Sequence, residues 1–125
     1  MTYTFRLPCY LFVGARKISL NLNWYRNAHH QVAAKVKREF APVFPWPRFH
    51  AEKVAITYTL VLKTRQRTDR MNWVAIVDKF FADWLVQYGY IQDDDCGHYV
   101  STSSTAVMDP TATETHIIAE VEVRE

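Results

Sequence analysis

The stretch from Val54 to Leu62 constrains the fold more than any other part of the chain. Val54, Ile56, Tyr58, Leu60 and Leu62 alternate with Ala55, Thr57, Thr59 and Val61. This is the two-residue period of a strand, and because both faces are largely apolar it predicts a central position in a sheet. A second strand is predicted at the N-terminus, where Tyr3, Phe5 and Leu7 alternate with Thr2, Thr4 and Arg6 and Pro8 closes the run. A short strand is expected near Leu11 to Val13 or Lys17 to Leu20.

From Asn23 the period changes. Tyr25, Ala28, Val32, Val36 and Phe40 follow three-to-four spacing, which predicts one amphipathic helix capped by Asn21 or Asn23. Its polar face is basic, with Arg26, His29, His30, Lys35, Lys37 and Arg38 against the single acid Glu39. Pro42, Pro45 and Pro47 make Ala41 to Lys53 a semi-rigid loop. Asn72 to Tyr88 reads as a second helix, with Trp73, Ile76, Val77, Phe80, Phe81, Trp84, Leu85 and Tyr88 on a broad apolar stripe and Gly89 as its stop. An acidic turn follows at Asp93, Asp94 and Asp95. Further strands are expected at Tyr99 to Val107 and Ile117 to Val123.

The order strand, helix, strand, helix, strand, strand implies an α+β fold: a single domain, a mixed sheet packed with two main helices. Composition agrees, since 125 residues that are 49% apolar and 22% charged are enough for one core. Disorder, coiled coil and collagen are excluded. Apolar runs such as Trp73 to Val77 are too short to cross a bilayer, and Met1 to Pro8 lacks the pattern of a secretion signal, so a cytoplasmic location is expected. Cys9 and Cys96 are too few for a disulfide scaffold and are expected to be buried thiols.

Charge is divided along the chain. Residues 1 to 68 hold twelve Lys and Arg against two Asp and Glu, a net of +10, whereas residues 69 to 125 hold three against eleven, a net of −8. A basic half suits a polyanion backbone, and carboxylates near phosphate suit a bridging Mg²⁺ or Mn²⁺. Equally, the two halves can neutralise each other within the fold or across a dimer.

Asp69, Asp78 and the Asp93-Asp94-Asp95 turn are the candidate carboxylates. If the acidic turn or the last strand folds back beside the central strand, they converge at one end of the sheet and offer Mg²⁺ its oxygen ligands. Lys63, Arg65, Arg67 and Arg70 would then hold phosphate. Each acid has a structural reading as well. Asp69 is placed to cap the helix, Asp78 to take a buried partner, Asp83 to pair with Lys79 four residues earlier, and the triplet to form a solvated turn. Acids after a helix C-terminus oppose its dipole, so a compensating cation is expected there. Adjacent His29 and His30 point about 100° apart on a helix, poor geometry for a shared metal. Trp24 and Trp46 are expected to pack rather than stack on bases. No Gly-rich phosphate loop and no nucleophile elbow is present.

The segment Arg67-Thr68-Asp69-Arg70-Met71-Asn72 through Gly89-Tyr90-Ile91-Gln92-Asp93-Asp94 resembles the RusA family of phage-derived Holliday-junction resolvases. Leu7-Pro8 at the end of the first strand, the helix start Leu22-Asn23-Trp24-Tyr25-Arg26, and the spacing from Asp83 through Gly89 to Asp93-Asp94 are also similar. The family motif has two Asp separated by one residue, then Asn, then Lys three residues later; here Asp69 and Asn72 match while Met71 and Ala75 replace the second Asp and the Lys. Counted from the helix end, Lys79 takes the Lys position, and Asp78 is the expected substitute for the lost acid.

The resemblance implies a homodimeric, Mg²⁺-dependent endonuclease that cuts four-way DNA junctions or other branched DNA. Asp69, Asp78 and Asp94 would be catalytic metal ligands with Asp93 as a fourth, and Lys79 would stabilise phosphate charge. Lys63, Arg65, Arg67 and Arg70, with Arg26, His30 and Lys37 on the basic helix, would hold the DNA arms. Two other classes stay open: a RusA-like fold without catalysis that binds DNA or a host protein, and a structural domain whose acidic and basic halves meet across a dimer.

Overall fold

The computed structural model describes residues 1–65 and 69–125. Its chain runs β1 (Thr2–Pro8), β2 (Tyr10–Val13), β3 (Arg16–Ser19), α1 (Leu22–Asn27), α2 (His30–Glu39), β4 (Lys53–Leu62), α3 (Arg70–Gln87), β5 (Tyr99–Met108) and β6 (His116–Arg124). The main sheet has the order β1-β6-β4-β5. β6 is antiparallel to both of its neighbours, whereas β4 and β5 are parallel, so the sheet is mixed. The fold is a small α+β domain, as expected, and β4 lies inside the sheet.

The alternation read from the sequence decides which side chains enter the core. Phe5 and Leu7 of β1, Val54, Ile56, Tyr58 and Leu60 of β4, and Ile117, Ala119 and Val121 of β6 are all buried. α3 buries Trp73, Val74, Val77, Phe80, Phe81, Trp84 and Leu85 in the same cluster. A fully buried side chain of this size contributes about 1.5–3 kcal/mol, so the docking of α3 on the sheet is a major part of the stability of the domain. Trp24 packs edge-on to Phe80 and Trp46 to Trp84, so both indoles are committed to the core's rim.

α3 ends in a Schellman motif. Gly89 adopts φ +78°, its N–H donates to Val86 O at 3.1 Å, and the Tyr90 N–H donates to Leu85 O at 2.8 Å. A residue with a Cβ is strained in that backbone region, which is why glycine stands there.

The N-terminal half departs from expectation in two ways. Both weak strand segments form and pair with each other as the β2–β3 hairpin, outside the main sheet and turning at Gly14. The single basic helix is two helices. Asn21 caps α1 by accepting from the Trp24 N–H at 2.9 Å, and Asn27 turns its amide back to Asn23 O at 2.7 Å. Ala28 and His29 are then extended, and the His29 ring accepts from the Gln31 N–H at 3.2 Å to cap α2. Side-chain capping has overridden a continuous apolar period. Because His29 lies outside the helix, its ring stacks on that of His30 at 4.4 Å instead of diverging from it.

Among the described residues, no helix is long and apolar enough to cross a membrane. Cys9 is buried, and burial followed by the nearby Glu114 pushes its thiol up to about 12. Cys96, expected to be buried, is exposed beside the acidic turn.

Candidate functional site

The carboxyl ends of β4 and β5 and the N-terminus of α3 come together at one end of the molecule, because α3 is the crossover between two parallel strands. Lys63 is anchored there: its N–H donates to Thr115 Oγ1 at 3.1 Å, and its ammonium donates to Thr113 O at 3.0 Å. Arg65 is exposed. Arg70, the first residue of α3, is exposed and donates from Nε to Ser104 Oγ on β5 at 2.8 Å. Arg67 lies outside the described residues. The N-terminal end of the α3 dipole adds about half a positive charge at this same end. Asn72 ties α1 to the locus, its side-chain oxygen accepting from the Leu22 N–H at 3.2 Å.

Asp69 is the N-cap of α3 and accepts from the Met71 N–H at 3.0 Å. Its capping reading is therefore realised.

Asp78 lies further along α3, facing the sheet. Its Oδ1 accepts from Tyr58 on β4 at 2.5 Å and from Tyr99 on β5 at 2.7 Å. Tyr58 is fully buried, and burial, then the Asp78 charge, raise its phenol well above the ordinary value. Burial, then Asp78, also raise that of Tyr99. The carboxylate is thus the hub of a triad that joins the helix to both parallel strands. Sequence reasoning missed the two tyrosines. The signal was a phenol at Tyr58 on a core-facing position otherwise filled by Val, Ile and Leu, which requires a partner for its O–H.

The acidic turn sits at the opposite end. It follows the C-terminus of α3, and an 18-residue helix is about 27 Å long. Asp95 Oδ1 accepts from the Gly97 and His98 N–H groups and lies 2.6 Å from His98 Nδ1, a hydrogen bond that lowers the Asp95 pKa. Asp93 accepts from the Asp94 N–H at 2.7 Å. The Asp94 pKa is raised by burial and then by the neighbouring charge of Asp83. Asp83 itself pairs with Lys37 of α2 at 2.7 Å, not with Lys79.

The four carboxylates expected to converge are therefore spread along α3, with Asp69 at its N-terminus, Asp78 within it and Asp93 and Asp94 beyond its C-terminus. The intervening straight helix holds them apart. Among the described residues no three Asp, Glu, His or Cys side chains form a group able to hold a metal ion, so the expected donor set does not fit Mg²⁺ within one chain. Lys79 is exposed, next to Asp78 in sequence.

Arg26 and His30 are exposed on α1 and α2. His30 and Lys37 line an open cleft of about 400 Å³ whose walls include Tyr25, Ala33 and Phe80. Lys37 is engaged by Asp83, which reduces what it offers to an external anion.

No protein-family model matches the chain, and no curated protein matches it.

Proposed function

We propose that the protein binds branched DNA on a RusA-like fold. The observation that carries this reading is the cationic end formed by Lys63, Arg65 and Arg70 around the N-terminus of α3, at the carboxyl ends of two parallel strands. Such a locus supplies charge-assisted donors and a helix dipole to a phosphate backbone, contacts that position DNA without reading its bases. Arg26 and His30 on α1 and α2 extend the contact to a second arm. The protein acts as a homodimer, in the cytoplasm.

The geometry supports binding more directly than cleavage. The endonuclease reading rests on the RusA resemblance and on Asp69 lying among the basic groups. Against it, Asp69 caps its own helix, Asp78 is held by two phenols, and Asp93 and Asp94 lie at the far end of α3. A junction-binding factor without hydrolysis accounts for Met71 in place of an acid and for the divided carboxylates.

The test is a labelled four-way junction and a matching linear duplex, incubated with Mg²⁺ or Mn²⁺. Junction-selective binding without product supports a binding factor that does not hydrolyse DNA. Cutting that is lost in Asp69→Asn and Asp94→Asn would restore the endonuclease, and absence of any junction preference would remove branched DNA as the ligand.

A further inference from the structure

We propose that β5 is the surface on which two copies of this chain pair, edge to edge and antiparallel, into one continuous sheet. This assigns a surface to the homodimer invoked for DNA binding and rests on that reading. Its test contains no DNA, so failure of pairing and failure of DNA binding read out separately.

The two edges of the main sheet are built differently. β1 is guarded: it carries the charge of Arg6, ends in Pro8, and has the Arg6 carbonyl occupied by the Val43 N–H at 2.8 Å. These are the devices by which natural sheets prevent further pairing. Apart from the irregularity at Val100, β5 shows none of them among the described residues. Its ten residues, Tyr-Val-Ser-Thr-Ser-Ser-Thr-Ala-Val-Met, include no charge and no proline. All but Tyr99 and Ser104 are exposed, among them Val100, Val107 and Met108 at 37%, 47% and 54%. Among the described residues only its β4 side is paired, so the outer side presents a row of unmade backbone hydrogen bonds.

The occupant follows from the sequence of the strand. A two-fold axis between antiparallel strands keeps each residue on its own face of the sheet, so opposed residues must be an even number apart. Past the irregularity at Val100, where the register with β4 shifts, and centred on Ser103, this rule sets Ser103 against itself, Thr102 against Ser104 and Ser101 against Thr105. Hydroxyl meets hydroxyl along these five residues, the like-with-like pairing that stabilises cross-strand neighbours.

Charge agrees with the same arrangement. β5 begins just after Asp93, Asp94 and Asp95, and its end lies beside the end of β4, where Lys63 and Arg65 follow; Asp109 at that end is engaged by Thr111. Antiparallel pairing brings the acidic turn of one copy toward the basic end of the other. This gives the division between a basic and an acidic half a role between molecules.

The test is the mass of the full chain in solution, by sedimentation equilibrium from micromolar to about 100 µM, for the unaltered protein and for Ser103→Lys and Ser103→Glu. Ser103 is exposed and its hydroxyl makes one long contact, with Thr57 at 3.3 Å. Either charge would face its own copy across the axis and weaken the dimer at least tenfold. Mixing the two variants would restore a dimer containing one of each. In a Cys96→Ser background, Ser103→Cys would cross-link two copies under mild oxidation, which keeps the test decisive if a charged variant fails to fold. A monomer at 100 µM, a dimer undisturbed by both charges, variants that do not rejoin, or an absent cross-link would each overturn the proposal.

Discussion

The Tyr58 hydroxyl and the Asp78 carboxylate meet at 2.5 Å inside the domain, and Tyr99 reaches the same oxygen at 2.7 Å. A helix and two parallel strands are thereby joined through one atom. Tyr58→Phe removes a donor from a half-buried carboxylate, and the expected loss is about 1–3 kcal/mol. Urea unfolding of Tyr58→Phe, Tyr99→Phe and the double variant measures it. Because the phenols share an acceptor, the two losses should not add.

The same triad sets a limit at alkaline pH. The phenols of Tyr58 and Tyr99 are raised in the folded state, above an unfolded value of about 10. A raised folded pKa gives stability that is complete below the unfolded value and is lost as pH climbs through the folded one. Stability should hold up to about pH 10 and fall beyond it. Absorbance at 295 nm should show these two phenolates appearing together with unfolding.

Gly89 closes α3 in a left-handed conformation, at φ +78°. Nothing lies within 4 Å of where its Cβ would be, so an alanine there costs only backbone strain, about 1 kcal/mol. A Gly89→Ala thermal melt checks this value, and a shift several times larger would mean that the Schellman turn carries tertiary contacts as well.

Asp69 offers a way to separate a cap from a ligand. Asp69→Ala should destabilise by about 1 kcal/mol, while Asp69→Asn, which keeps the capping oxygen, should change stability little. If the locus serves only to bind DNA, Asp69→Asn should also leave junction affinity intact. A large loss of activity in a fully stable Asp69→Asn protein would give the carboxylate a chemical duty.

Arg65 and Arg70 should act on DNA as point charges. Replacing either with alanine should weaken binding to every sequence alike and reduce the slope of log affinity against log salt by about one. Titrations of a junction at several salt concentrations test it. Lys37→Ala should do less, because Asp83 already holds that ammonium at 2.7 Å.

Much of this architecture could be read from periodicity. The two-sided apolar alternation of Val54 to Leu62 specified an interior strand, and the stripe from Trp73 to Leu85 with Gly89 after it specified a buried helix and its stop. The division of the basic helix was not legible, because the His29 ring and the Asn27 amide outcompete the ladder only once the loops around them are placed. The candidate site was legible at its basic end, where Lys63, Arg65, Asp69 and Arg70 follow directly from a strand entering a helix. The acidic end was misplaced for a geometric reason: nearness in sequence on either side of α3 conceals the length of the helix. Asp78 was rightly expected to have a partner, but its partners come from two strands that lie 20 and 21 residues away.

The contrast between Cys9 and Cys96 supplies a built-in reporter. With its thiol raised to about 12 and enclosed by the core, Cys9 should ignore maleimides under native conditions, whereas Cys96 is open to solvent. A dye or spin label added to the unmodified chain should therefore settle at one position, three residues ahead of β5. Each folded molecule would then carry a single beacon at its acidic end, and a resonance measurement between copies becomes a ruler for their assembly.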